Sequence, residues 1–450
     1  MSLHTRQIHD HIGLPLLPLV QKIGLKGLPV DEHRRDLMVL WVGRQLDELA
    51  CELADAGIVE PGSGKKLGDA LINLGVPLSK KTAGGQSVTD LDVLRRFNFH
   101  YNEVVPNPKF PFLKLVIKWK KLEKLRGNLE SMRLCDDHRL RTSLRSTGTE
   151  TGRYSSSRLK WCSVCRAPFH GTNLQNLSKA DEVAAIDCRG GCWLATACET
   201  HQHYLRDCIV ARPGMIFIER DYSMLELRIL AELANVPLLL ARLAAYDAGT
   251  GLSIHTMNEQ DLFSTDGPNR TLAKNFAFAC VYGGGPVAIQ IALAKKGIYL
   301  SIARIEQLQQ KLFAIYPEII GWQIREDEYI RRARAASQLI VARNAFGRAR
   351  IMLGSEPLKE LLSTKVQGAA GDVMSFVLLR IAREALALLD TLCSQVHDAY
   401  VAEVPVKTAD AYDTQLTQAM ERPVWMGSRF VVFPAEGKRG TCLGDMRGSA

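Results

Sequence analysis

Arg270, Lys274, Phe278 and Tyr282 stand at four-residue steps in RTLAKNFAFACVYG, so on a helix they form one continuous stripe. Two cations followed by two aromatic rings make an awkward core face. They make a good surface for a nucleoside triphosphate, with phosphates on the cations and the base on the rings; a chance spacing is the alternative. Two aspartates complete the set of candidate reactive groups. Asp221 ends the run Met215 to Ile218 and precedes a helical pattern at Leu225, Leu227, Leu230 and Leu233. Taken alone, it reads first as the cap of that helix. Asp398 lies in QVHDAY, between two β-capable runs, where a hairpin tip belongs. If the two strand elements are neighbours in one sheet, the carboxylates can hold two Mg²⁺ ions about 4 Å apart. One ion then acidifies an attacking hydroxyl and the other neutralises a leaving pyrophosphate. Phosphoryl transfer asks mainly for such positioning and charge.

The elements that must position these groups are legible nearby. Pro213-Gly214 followed by four apolar residues marks a buried strand. Gly283-Gly284-Gly285 stops the stripe helix. Residues 301 to 337 are helical and basic, and Asn344 to Leu353 reads as a hairpin. Pro357 to Leu389 gives one or two helices interrupted by the small cluster Gly368-Ala369-Ala370-Gly371. Toward the N-terminus, helical periods run to Ala56 and across Gly62 to Pro77. The segment Pro111 to Arg133 is a long helix carrying Lys114, Lys118, Lys120, Lys121, Lys124 and Arg126. Such a charge run is either a solvated face or an arm along a phosphate backbone. Arg139 to Ser157 is loop and edge strand, rich in hydroxyls and guanidinium groups suited to phosphates and sugars, and Asn173 to Asn176 adds amides able to reach base edges.

With 450 residues, 46% hydrophobic and 23% charged, the chain holds two or three domains with ordinary cores. A net charge of +9 suits a polyanionic partner. No secretory leader and no apolar run of about 20 residues is present, so the expectation is a protein of the reducing cytoplasm, off the membrane. Seven of the 11 cysteines fall between Cys135 and Cys208, which points to metal before disulfides. Cys162 and Cys165 form one arm and Cys188 and Cys192 another, a set suited to structural Zn²⁺. Cys198, His201 and His203 are rival ligands, or a second site.

Asp221 to Arg228 (DYSMLELR), the Arg270 to Gly283 stripe and Gln395 to Asp398 (QVHD) resemble, in order, three motifs of family A DNA polymerases. Thr151-Gly152-Arg153 with Ser155-Ser156, the NLQN run, His255 and Gln367-Gly368 extend the likeness, as does KKLGDALINLGVPLSKKT. The resemblance implies an α+β right-hand polymerase fold: mainly helical thumb and fingers around an antiparallel-sheet palm, plus a Cys-rich insert. It places N-terminal helices and thumb at 1–135, the first part of the palm at 136–230 with the insert at about 158–208, fingers at 231–343 and the rest of the palm at 344–450.

The implied activity is template-directed addition of dNTPs to a primer 3′ end by a monomer acting on primer-template DNA; no processivity partner can be named. Asp221 and Asp398 are implied as Mg²⁺ ligands. Arg270, Lys274 and His255 are implied as triphosphate ligands, with Lys274 the proton donor to pyrophosphate. Phe278 and Tyr282 are implied to frame sugar and template, and Glu226 to exclude a 2′-hydroxyl. Arg153, Asn173, Gln175, Gln367 and His397, with Lys118 and Lys121 of the basic helix, are implied DNA contacts. Ala399 replaces the acidic residue usual after His-Asp, Met224 a Gln, and Ala279 a Gly. The chain begins about where the family's polymerase region begins, so the expectation is no proofreading exonuclease. Two other readings stand beside this one: a single-subunit RNA polymerase, disfavoured by Glu226 and Phe278, and a nucleic-acid-binding accessory protein that kept the hand without the catalysis.

Overall fold

The computed structural model describes residues 9–446 apart from 80, 83, 98, 101–104, 178–185, 188–201, 264–269, 295–297 and 356. Its centre is a four-stranded antiparallel sheet in the order Leu392–Val396, Ala399–Pro405, Met215–Tyr222, Ala435–Gly440. The apolar run that reads as a buried strand is therefore an inner strand, paired on both sides. Alternate residues face opposite ways along a strand, and two cores result. Phe217, Val401 and Cys393 enter one with helices Glu32–Asp55 and Leu113–Glu130, while Ile218, Tyr400 and Ala402 enter the other with helix Leu14–Lys26 and the helices that follow the central strand.

On the N-terminal side, helix Glu32–Asp55 packs against helix Leu113–Glu130, whose buried face is Leu113, Val116, Trp119, Leu122, Leu125 and Leu129. That stripe at helical spacing leaves Lys118 exposed and Lys121 half-exposed. On the other side, helix Leu225–Ala234 follows the central strand. Helices Ile254–Phe263 and Arg270–Val281 pack on each other, and Ile302–Ile315 and Pro317–Ala335 close the layer. Among the described residues no helix is long and apolar enough to cross a membrane.

The small cluster at Gly368–Gly371 does not interrupt its helix, which runs unbroken from Pro357 to Glu384. The glycines serve close approach. A Cβ on Gly368 would stand 2.8 Å from the Thr151 carbonyl oxygen, and one on Gly371 2.7 Å from that of Gly152. The backbone of Thr151-Gly152-Arg153 thus rests directly on this helix. On the hairpin Val341–Arg343/Ala349–Ile351, Arg348 donates to Asp372 of the same helix at 2.8 Å and packs against Gly152. Backbone contact of this kind holds a loop whose own sequence has no apolar period.

Candidate active site

Asp221 lies in the central strand and pairs with Ala399 on one side and Glu436 on the other. The helix after it starts from Met224, which adopts a left-handed backbone (φ +53°) and makes no side-chain cap bond. The capping role for Asp221 is thereby removed. The following turn is held instead by Arg228, buried, which donates Nε to the Ser223 carbonyl at 2.7 Å and grips Asp247 with both terminal nitrogens at 2.8 and 2.6 Å.

Asp398 and His397 form the two-residue tip between Leu392–Val396 and Ala399–Pro405, with His397 at φ +53°. Left-handed backbone on a non-glycine residue costs energy and persists only where neighbours enforce it. Here Gln175 enforces it: its Oε1 accepts from His397 N at 3.1 Å and its Nε2 donates to the Gln395 carbonyl at 2.7 Å. Gln395 in turn donates Nε2 to the His397 carbonyl at 2.6 Å. Gln175 is itself fixed by Asn173 Oδ1, which accepts from its backbone N–H at 3.1 Å and from Ser156 Oγ at 2.7 Å. Asn173 and Gln175, implied as DNA contacts by the resemblance, also buttress the Asp398 tip in this structure. Tyr222 N–H donates to the Asp398 carbonyl at 3.1 Å, which ties the tip to the central strand beside Asp221.

Both aspartates open onto a cleft of about 630 Å³. Its opposite wall is the stripe helix Arg270–Val281, whose Arg270, Lys274, Phe278 and, one residue past its end, Tyr282 all line the space. Arg270 and Lys274 are exposed, and the two rings stack at 6.4 Å and 15°. His255, from helix Ile254–Phe263, sits 5.9 Å from Phe278, 5% exposed, with a buried Nδ1 that has no partner among the described residues. Burial first, then the charges of Lys274 and Arg270, push its pKa down to about 3. It is a neutral imidazole beside two cations, able to offer an N–H to an anion.

Glu226 is joined to Arg153 and to the Tyr282 hydroxyl. Burial works against charge on Arg153, but the carboxylates of Glu226 and Asp398 outweigh it and hold the guanidinium above its usual pKa. Burial, then Glu226, drives the Tyr282 hydroxyl well above the usual tyrosine range. Gln367 completes this side. The cluster links three distant segments beside the cleft: the Thr-Gly-Arg loop, the first turn of helix Leu225–Ala234 and the end of the stripe.

Two lining residues are not readable from the sequence. Glu436 and Lys438 belong to Ala435–Gly440, whose AEGKRG has no apolar alternation and looks like loop. Glu436 accepts from Ser223 Oγ at 2.7 Å and from the Tyr246 hydroxyl at 3.0 Å. Directly opposed residues in an antiparallel pair share a face, so Ala399, Asp221 and Glu436 form one row across the sheet. The row lacks a carboxylate at 399 and carries one at 436. An all-oxygen donor set of Asp221, Asp398 and Glu436 fits hard dications such as Mg²⁺.

Lys118 and Lys121 lie on the basic helix and do not line this cleft. Cys188 and Cys192, with Cys198 and His201, fall outside the described residues, as does the side chain of His203. Cys162 and Cys165 are described, and their sulfurs approach Cys135 and His170.

A family model described as DNA polymerase family A matches residues 42–432. DNA polymerase I of Chloroflexus aurantiacus is 27% identical over 433 residues, covering 88% of this chain and 39% of that protein. For DNA polymerase I of Caldicellulosiruptor bescii the identity is 24% over 460 residues, with 96% and 47% covered. The chain thus spans less than half the length of either relative. Among solved structures, the POL domain of Pol1 from M. smegmatis, in complex with DNA primer-template and dNTP, superposes with a TM-score of 0.71 at 19% identity, covering 98% of this chain and 71% of that one. The α+β architecture described above is therefore that of a polymerase domain.

Proposed function

Because the chain belongs to DNA polymerase family A, we propose that it extends a DNA primer along a template strand, adding dNTPs to the 3′ end. The observation that carries this reading is the meeting of Asp221, Asp398 and the Arg270–Tyr282 stripe across one cleft. Asp221 and Asp398, with Glu436 in the row position that Ala399 leaves empty of charge, would hold Mg²⁺. Two such ions, when bound, activate the primer 3′-hydroxyl and neutralise the departing pyrophosphate.

The protein's own groups do the rest. Arg270 and Lys274 receive the triphosphate, and the neutral His255 adds an N–H donor to it. Lys274 supplies the proton taken up by pyrophosphate. Phe278 and Tyr282 frame the incoming sugar and the template base. Glu226, held between Arg153 and Tyr282, occupies the space a 2′-hydroxyl needs and selects deoxynucleotides. Arg153, Asn173, Gln175, Gln367 and His397 contact primer and template. The exposed face of helix Leu113–Glu130, with Lys118 and Lys121, runs along duplex phosphates, each contact releasing counterion. In this reading 1–135 is N-terminal helices and thumb, 231–343 fingers, and 136–230 with 344–450 the palm; the protein works as a cytoplasmic monomer.

Ala399 favours a second reading, a hand-shaped nucleic-acid-binding protein without catalysis. Primer extension on a defined template with Mg²⁺ separates the two. The polymerase reading expects extension by dNTPs over NTPs, abolished by Asp221→Ala; extension that survives this substitution, or none by the wild type, sinks it. A mismatched primer end in the same reaction tests the expectation that this chain does not excise.

A further inference from the structure

Away from the cleft, three thiols and an imidazole converge where the basic helix hands over to the palm. Cys135 Sγ lies 3.5 Å from Cys162 Sγ, 3.2 Å from Cys165 Sγ and 3.6 Å from His170 Nδ1. Cys165 Sγ is 3.5 Å from that same nitrogen, and the donor atoms of Cys135, Cys165 and His170 all fall within 4.8 Å of one another. A tetrahedral zinc ion bonds sulfur at about 2.3 Å and nitrogen at about 2.0 Å, which sets its ligand atoms roughly 3.5–3.8 Å apart. The observed spacings approach that shell and are far from a disulfide of about 2.05 Å.

The surroundings are built for it. Cys162 and Cys165 flank the turn of a small hairpin, Trp161–Cys162 paired with Ala167–Pro168. The backbone amides of Val164 and Cys165 donate to the Cys162 sulfur, and Arg166 takes a left-handed backbone at φ +53°. Arg141, gripped by Asp137 at 2.7 and 2.5 Å, also reaches the Cys135 sulfur. Its charge offsets the net −1 that three thiolates, one imidazole and a dication would carry, the usual task of groups behind metal ligands. The segment that brings His170 is pressed against the Cys135 segment: Gly171 N–H donates to the Arg133 carbonyl at 2.9 Å, and a Cβ on Gly171 would stand 1.8 Å from the Arg141 carbonyl oxygen.

We infer that Cys135, Cys162, Cys165 and His170 form a structural Zn²⁺ site that ties the end of the basic helix to this hairpin. A swing of the Cys162 side chain brings the fourth donor in. Four protein ligands leave no open position, so the metal's role is to hold structure. What it holds is the segment leading directly to Asn173 and Gln175, the buttresses of the Asp398 tip. This ligand set differs from the one the spacing of cysteines suggests, which pairs Cys162 and Cys165 with Cys188 and Cys192. The inference stands whether or not the chain proves to be a polymerase.

The test is metal analysis of the full chain, purified without a histidine tag, beside variants. Wild type should carry about one zinc per chain. Cys135→Ser and Cys165→Ser should lose at least about nine tenths of it, whereas His170→Cys, which keeps four good ligands, and the double change Cys188→Ser with Cys192→Ser should retain it. If Cys135→Ser does not fold, cobalt(II) loaded into wild type decides. Thiolate-to-metal absorption that persists in the Cys188/Cys192 double variant and changes in His170→Cys supports the site. A zinc-free wild type, a disulfide among Cys135, Cys162 and Cys165, or loss of metal in the double variant overturns it.

Discussion

The side-chain oxygen of Gln175 accepts the backbone N–H of His397 at 3.1 Å, although 222 residues separate them in the chain. With the bond from Gln175 Nε2 to the Gln395 carbonyl, this clamps the left-handed tip that carries Asp398. Losing a buried or half-buried partner costs about 1–3 kcal/mol. Gln175→Ala should therefore slow nucleotide addition about tenfold and broaden Mg²⁺ dependence, with the melting temperature lowered by roughly a few degrees. Steady-state primer extension against Mg²⁺ concentration checks this; an unchanged profile would show that the tip holds its shape without Gln175.

Asp221→Ala and Asp398→Ala should each reduce incorporation by about 10²–10³-fold or more, the scale of removing a central electrostatic group. Both side chains are half-buried at the cleft wall rather than in a core, so circular dichroism should stay native. The readout is single-turnover extension with a saturating dNTP.

Glu436→Gln keeps the bonds from Ser223 and Tyr246 but removes the charge in the row with Asp221. The Mg²⁺ concentration for half-maximal activity should rise about 10–100-fold, as for other groups that support a metal. Placing a carboxylate at the other end of that row, Ala399→Glu, should recover part of the loss. A Glu436→Gln enzyme with wild-type Mg²⁺ response rules out the role.

Glu226→Ala opens the space beside Tyr282 and releases Arg153. Discrimination between dNTP and NTP should fall on the order of 10²-fold, the range of a steric pocket contact. Competition between dCTP and CTP opposite one template guanine measures the ratio directly.

His255 has a folded pKa pushed down to about 3 by burial, then by Lys274 and Arg270, against about 6.5 in an unfolded chain. Between those values the unfolded state binds the proton and the folded state does not. Stability must then fall as pH drops from about 6.5 toward 3. At pH 4.5 the cost relative to pH 7 is about 2–3 kcal/mol. His255→Gln should flatten that part of the pH–stability curve, read by urea unfolding at both pH values; an unaltered slope would place the titration elsewhere.

Much of the cleft could be read in one dimension because its chemistry repeats at the period of its elements. Arg270, Lys274, Phe278 and Tyr282 keep four-residue steps, and Met215 to Ile218 is an apolar run that suits an inner strand. These local patterns fixed the types of element and the residues on their working faces, and the resemblance of the motifs fixed the family. Register and distant contacts have no such period. Glu436 reaches the row of Asp221 only because a polar edge strand pairs residue for residue with the central one. The helix through Gly368–Gly371 stays whole because those glycines admit a neighbouring backbone. Cys135 and His170 meet Cys162 and Cys165 because Gly171 lets two chain segments touch. Each of these depends on which segments pack together, and packing is settled by the whole chain's burial and backbone bonding at once, not by any window of its sequence.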